Sequence, residues 1–261
     1  MRYPGGSSYY ATPSMSIPPG VKWLLVSNVA IFLLYFIATI PQPGYGWLFS
    51  PFSLTPVKAV EGLQVWQVFT YLFLHDPNGF SHILFNMLAL YMFGKTLEET
   101  WGTERFLRYY FGCGIGAGLC VILAGYLTGD PYTSTIGASG AIFGLLLAFG
   151  VLFPDSTVLM SFLFPIKAKY MVMIVGAITF LSIPKSGSGV SHVAHLGGMI
   201  VGYLLLKTSF GQRQLNRSRY TRESLLSRVT GAWREYRLRR ARKKFQVYMS
   251  KQNRKDGPRV H

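Results

Sequence analysis

Six stretches of this chain stay apolar for about the length that a helix needs to cross a lipid bilayer, on the order of 20 residues. Val21–Ile40 holds one charged residue, Lys22, at its edge; Ser81–Leu97 holds Lys95 near its end; Phe106–Leu127 holds Arg108. Thr133–Phe153, Met171–Ile183 and Gly187–Leu206 hold none. The fifth run is short, and its pattern extends backwards through Phe162–Tyr170, where Lys167 and Lys169 can snorkel to an interface. Six such runs exceed what one soluble core accommodates, so the predicted class is an all-α polytopic membrane protein with six transmembrane helices. Composition agrees: 50% of the residues are hydrophobic and 14% charged, against roughly 25% charged in an ordinary globular protein. Disorder, a disulfide scaffold and a soluble dehydrogenase-like enzyme are excluded on that ground. Cys113 and Cys120 lie in one apolar run, which suits neither a disulfide framework nor a metal knuckle.

The formal charge of +16 is unevenly spread. From Ser209 onward there are sixteen Lys and Arg against three acids, Glu223, Glu235 and Asp256. The expected organisation is a flexible Gly/Ser/Pro/Tyr-rich segment over 1–20, a membrane domain over 21–208 and a basic, partly helical tail over 209–261. No cleavable signal peptide is recognisable, because the first apolar run follows a long polar stretch and is full length. Arg2 and Lys22 flank the first helix, Lys95, Arg105 and Arg108 flank the turn between helices two and three, and Lys167 and Lys169 follow the fourth. The opposite loops hold little beyond Lys58 and Lys185. The positive-inside rule then assigns both termini to the cytoplasm, and helices two, four and six begin on the outer side. In the tail, Leu225, Leu226, Val229, Trp233 and Tyr236 recur at three- and four-residue steps amid arginines. Three readings stay open for it: an amphipathic helix on anionic lipid, a solvated segment that only fixes topology, or a nucleic-acid contact, for which basic charge alone is weak.

Parity brings three polar clusters to one depth, just below the outer surface. They are Ser81–Asn86 at the start of helix two, Gly137-Ala138-Ser139-Gly140 a few residues into helix four, and His192–Gly198 near the start of helix six. Polar and ionisable groups are costly in a bilayer, so such residues point to function. Their types suit acyl transfer. A serine hydroxyl needs a base to become a nucleophile, and histidine is the usual base near neutral pH. His82 and Asn86, at i and i+4, share one helical face and can hold a developing oxyanion. Gly198 and Gly202 form a GxxxG step that lets helix six approach helix four. His192 precedes His195 by one turn and is the competing candidate for the base. No carboxylate between Ser139 and the tail other than Asp155 exists to complete a triad, and Asp155 belongs at the opposite end of helix four. No metal set is complete, since neither a carboxylate nor a cysteine joins His82, His192 and His195.

These motifs resemble the rhomboid family of intramembrane serine proteases. The resemblance rests on His82-Ile-Leu-Phe-Asn86, Gly137-Ala-Ser-Gly140 and Ala194-His-Leu-Gly-Gly198 followed by Gly202. It is supported by Trp66-Gln67 and Phe73-Leu-His75 in the first loop, and by Gly94-Lys-Thr-Leu-Glu98 with Trp101-Gly102. It spans about Val21 to Lys207. It implies a six-helix rhomboid bundle with a membrane-dipping first loop, Ser139 as nucleophile, His195 as base, and an oxyanion site from His82, Asn86 and the Ser139 backbone N–H. It further implies an aromatic ring, Phe143, stacked on His195, with Gly137, Gly140, Gly198 and Gly202 in support. The Ala-His-Leu-Gly match favours His195 over His192. Gln67 stands where many members carry arginine, His75 is read as loop structure, and Glu98 and Glu99 as residues that pin the turn after helix two.

The expected activity is cleavage of single-span membrane proteins near the outer end of their helix, without a cofactor and without nucleic acid. The expected location is a bacterial inner membrane. The competing readings are an inactive rhomboid-like protein that binds membrane clients and, more weakly, a small transporter, for which no internal repeat is present.

Overall fold

The computed structural model describes residues 16–39, 43–160, 164–183 and 190–208, together with Arg240. The expectations for residues 1–15 and for the basic tail lie outside the described residues.

Each of the six apolar runs is helical over most of its described part. The first is α1 (Pro19–Thr39). A 3-10 segment (Pro43–Phe52), the short helices α2 (Pro56–Val60) and α3 (Gln67–Thr70) and a 3-10 turn (Tyr71–Phe73) make the first loop. The second run is one unbroken helix in three parts: α4 (Phe80–Ala89), a π-helical segment (Leu90–Gly94) and α5 (Lys95–Trp101). Then come α6 (Thr103–Thr128), α7 (Ser139–Leu152), a hairpin of β1 (Thr157–Met160) and β2 (Phe164–Lys167), α8 (Ala168–Ser182) and α9 (Val190–Lys207). Among the described residues, α1 and α6 are long and apolar enough to cross a membrane, while α7 and α8 are apolar but shorter.

The outward faces are apolar too. Leu34 and Ile37 on α1, Leu123 on α6 and Met173, Phe180 and Leu181 on α8 are each at least 60% exposed. Water would disfavour so continuous an apolar belt.

At the centre, α7 packs on α6 and α9. Its sequence is apolar all round, as a helix enclosed by others requires, and Gly140, Ala141, Leu145, Ala148 and Phe149 are all buried. Close approach rests on two glycine pairs. A Cβ on Gly198 would lie 1.9 Å from the Gly140 carbonyl oxygen, and one on Gly202 would lie 3.2 Å from the Gly144 Cα. The predicted Gly198–Gly202 step thus meets a second GxxxG, Gly140–Gly144, on the facing helix.

Glu98 ties the first helix to the second. Its carboxylate accepts the backbone N–H groups of Gly20 (2.8 Å) and Val21 (2.7 Å), and the Thr103 hydroxyl (2.7 Å). The N-terminus of α1 carries unpaired N–H groups and a partial positive charge, so a buried carboxylate suits it. Glu98 therefore pins more than the turn that follows it. Glu99 instead faces Lys95 at 4.0 Å.

Two expectations are corrected. The backward extension of the fifth run is helical only from Ala168: Phe164–Lys167 instead pairs antiparallel with Thr157–Met160, with Val158 opposite Ile166 and Leu159 opposite Pro165. Pro165 disfavours helical geometry at Phe164, and the pairing with Thr157–Met160 keeps the segment extended through Lys167, so α8 starts at Ala168. The all-α class thereby acquires one small two-stranded sheet. The second correction concerns the fourth helix, which begins at Ser139 itself rather than a few residues earlier.

Candidate active site

The late start of α7 has a local cause. Gly137 adopts φ +119°, open to glycine and strained for other residues, and its N–H donates to the Tyr71 carbonyl at 2.9 Å. Just before it, Leu54 and Thr135 exchange backbone hydrogen bonds of 3.0 and 2.8 Å. The first loop therefore claims the segment that would otherwise continue the helix upward. The first α-helical bond of α7 runs from the Ile142 N–H to the Ala138 carbonyl. The N–H groups of Ser139, Gly140 and Ala141 precede it, so they lie at the positive end of the helix dipole without an intrahelical partner.

From that first turn the Ser139 Oγ stands 2.8 Å from Nε2 of His195 on α9. The Gly140–Gly198 approach, one turn along α9 from His195, sets that separation. Phe143 projects one turn below Ser139, and its ring stacks on the imidazole with centroids 4.0 Å apart and planes 5° from parallel. His192 lies beside the pair rather than in it: its ring is 6.1 Å from that of His195 and nearly perpendicular. Its Nδ1 is buried with no hydrogen-bond partner among the described residues.

His82 and Asn86 approach from α4. A Cβ on Gly137 would lie 3.0 Å from Cε1 and Nε2 of His82, which puts the ring edge against the Gly137 backbone. Asn86 is buried, and its Nδ2 donates to the His82 carbonyl at 2.9 Å. That bond uses one of its two amide hydrogens and leaves the other for a second acceptor. Ser139, His195, His82 and Asn86 all line one cavity of about 690 Å³, together with Gly137 and Phe143.

Asp155 is the sole acid in the described parts of α7 to α9, and it lies just past the far end of α7 from Ser139. There it pairs with Lys169 (3.0 Å) and Lys167 (3.7 Å).

Two residues that hold the site in place escaped the sequence reading or were left open by it. Tyr71, 1% exposed, gives its carbonyl to Gly137 and donates its hydroxyl to the Gly114 carbonyl of α6 at 2.7 Å. It also lines the cavity. No spacing rule marks it, because its partners lie 43 and 66 residues away in sequence. Gln67, which stands where many rhomboids carry arginine, is fully buried. Its Oε1 accepts the Thr55 N–H at 2.9 Å, and its Nε2 donates to Gln64 Oε1 at 2.8 Å and to the Pro51 carbonyl at 3.3 Å. The neutral amide thus knits the loop internally, and the neighbouring Trp66 indole N–H donates to the same Pro51 carbonyl at 2.9 Å.

His75 is fully buried beside His82, with ring centroids 5.1 Å apart, and neither of its nitrogens has a hydrogen-bond partner among the described residues. Burial, with a smaller contribution from His82, pushes its pKa down to about 4.

Comparison with known proteins supplies the family. The rhomboid domain model matches residues 62–212. A putative rhomboid protease of Bacillus subtilis, YdcA, is 34% identical over 143 residues, which is 54% of this chain and 65% of that protein. The rhomboid protease GluP of the same organism is 32% identical over 158 residues, 58% of this chain and 29% of its own length. Rhomboid-like protease 3 of Toxoplasma gondii is 27% identical over 201 residues, 72% of this chain and 70% of that one. The chain spans less than two thirds of the two Bacillus proteins. The matched region contains the Ser139–His195 pair, the His82–Asn86 face and both glycine steps between α7 and α9. The chain belongs to the rhomboid family.

Proposed function

We propose that this protein is an intramembrane serine endopeptidase that cleaves single-span membrane proteins near the outer end of their helix. The observation that carries the reading is the 2.8 Å contact between Ser139 Oγ and His195 Nε2 at the free N-terminus of α7. In this reading His195 Nε2 takes the hydroxyl proton as Oγ attacks the scissile carbonyl. The tetrahedral oxyanion is met by the unpaired N–H groups of the first turn of α7, with His82 and the remaining Asn86 amide hydrogen beside them. His195 then gives its proton to the leaving amine, and the C–N bond breaks to leave an ester on Ser139. Water, deprotonated by the same imidazole, hydrolyses the ester. Phe143 keeps the ring in the attacking plane. A dyad without a carboxylate is consistent with Asp155 being engaged by two lysines at the other end of the helix.

The apolar outward faces of α1, α6 and α8 support a bilayer setting for the helices, and the basic residues at the helix ends favour both termini in the cytoplasm with the dyad below the outer surface. Substrate backbone must unwind to reach Ser139, because the carbonyls of an intact helix are closed by their own hydrogen bonds. Small or helix-breaking residues at the cut are the expected preference. Contact of the basic tail with anionic lipid belongs to the same proposal.

The test is reconstitution of purified protein with a single-span substrate bearing small residues near its outer end. Wild type is expected to cleave it and to label with a fluorophosphonate, and Ser139→Ala and His195→Ala to do neither. Undiminished cleavage by Ser139→Ala ends the serine mechanism. A folded wild type that neither cleaves nor labels favours a non-catalytic client-binding protein.

A further inference from the structure

The cavity that holds the dyad does not end near it. It continues along α4 and the π-helical segment, past Phe85 and Ala89 to Phe93, and is walled at that end by Met171 and Val175 of α8 and by Val158 and Leu159 of β1. From His82 to Phe93 is eleven residues of helix, about 16 Å at ~1.5 Å per residue. Ser139 opens α7 and the hairpin follows the other end of that helix, so β1 closes the cavity at its far end from the reaction. An extended peptide covers 16 Å in roughly five residues, at ~3.3 Å each. The lining below the dyad is dominated by aliphatic and aromatic side chains, which suits apolar residues and excludes charged ones.

The two hairpin residues differ in a useful way. Val158 is buried, 8% exposed, whereas Leu159, which lines the same cavity, is 51% exposed. A change at Leu159 therefore alters the cavity without opening a hole in the core.

We propose that Leu159 is a specificity-determining residue: it closes the far end of the active-site cavity and selects the size of the substrate side chain seated about five residues from the scissile bond, on the membrane side. The occupant is the unwound stretch of substrate between Ser139 and the remaining transmembrane helix. Continuity of the cavity with the dyad argues for it, and the length matches. The inference rests on the protease reading above.

The experiment compares two reconstituted single-span substrates that differ at this one position, alanine against phenylalanine, with wild type, Leu159→Ala and Leu159→Trp. The readout is the ratio of kcat/KM for the two substrates. Leu159→Trp is expected to shift the ratio at least tenfold towards alanine, and Leu159→Ala to shift it towards phenylalanine. A pocket distinguishes one methylene by about 10–200-fold, so a whole ring is well within reach of the assay. As a second measurement, with copper phenanthroline added as the two-electron oxidant, Ser139→Ala/Leu159→Cys is expected to form a disulfide with a substrate cysteine at that position and not with one five residues on the other side of the cut. Ratios unchanged in both variants, or equal cross-linking on the two sides, overturn the inference and leave the protease reading standing; this is also the result expected if a lipid chain fills the cavity. A folded wild type that cuts neither substrate overturns both.

Discussion

Replacing Gly198 by alanine tests whether glycine contact between α7 and α9 sets the geometry of the dyad. The new methyl carbon would lie 1.9 Å from the Gly140 carbonyl oxygen and 2.7 Å from its carbon. An ordinary close C···O contact is about 3.2 Å, so the backbones must part by about 1.3 Å, and neither atom belongs to a side chain that can rotate away. Gly140 follows Ser139, and Gly198 sits one turn from His195, so either movement stretches the 2.8 Å Oγ–Nε2 contact. A shift of that size along the contact takes it beyond hydrogen-bond range. Misplacement by about 1 Å costs on the order of 100-fold in rate, and the overpacking about 1–3 kcal/mol in stability. The assay is fluorophosphonate labelling together with substrate cleavage, well below the unfolding temperature of both proteins. Labelling rate and kcat are expected to fall about 100-fold with KM little changed. Gly202→Ala is the comparison. Its methyl meets the Tyr109 hydroxyl at 2.6 Å and the Gly144 Cα at only 3.2 Å, a milder backbone clash than at Gly198 and one further turn from the dyad. It is expected to cost stability but less than tenfold in rate. A folded Gly198→Ala protein that labels at the wild-type rate refutes the reasoning.

Glu98→Gln keeps the shape of the side chain but turns an amide NH₂ towards one of the two donors that face the carboxylate, the Gly20 N–H or the Val21 N–H, which sit on different oxygens. Losing charge-assisted bonds and leaving a buried donor unmet is expected to destabilise by about 2–4 kcal/mol in detergent unfolding, and an unchanged midpoint refutes the pinning of α1. Phe143→Ala removes the ring stacked on His195 and is expected to lower kcat/KM about tenfold, with Phe143→Tyr near wild type; equal activity of all three shows that stacking does not orient the base. For His75 the folded pKa of about 4 lies below the ordinary value near 6.5. The unfolded chain therefore takes up a proton first as the medium is acidified. Stability from this group is full above about pH 6.5 and falls between about pH 6.5 and 4, by up to about 3 kcal/mol. Thermal unfolding across that range is expected to flatten in His75→Gln, and an identical slope in both proteins contradicts the assignment.

Much of this architecture was legible because a bilayer imposes a one-dimensional rule. A span must be apolar along its length, so the six runs are visible in order, and a polar residue inside one stands out. Ser139, His195, His82 and Asn86 were found that way, and parity alone brought them to one depth. GxxxG steps are likewise local patterns, and Gly198–Gly202 announced a close helix contact before its partner was known.

What escaped depends on residues far apart in sequence. The Tyr71–Gly137 and Leu54–Thr135 backbone bonds join the first loop to the segment before Ser139. They fix the start of α7 at Ser139, and so leave its first N–H groups without an intrahelical partner. Apolar periodicity predicted a helix starting earlier, because Thr133–Ile136 are as uncharged as the residues that follow. The hairpin escapes for a related reason: Phe164–Lys167 continues an apolar run, and its pairing with Thr157–Met160 is a contact between separate segments that apolar periodicity does not show. The role of Glu98 at the start of α1, 77 and 78 residues away, has no local signature either. Sequence alone determined which segments are apolar, which residues are candidates for the chemistry and which faces are small enough to meet, since those follow from the solvent and from side-chain types. Tertiary structure decided where α7 begins, how far apart Ser139 and His195 stand and what closes the cavity beyond them, since those are set by backbone contacts between distant segments.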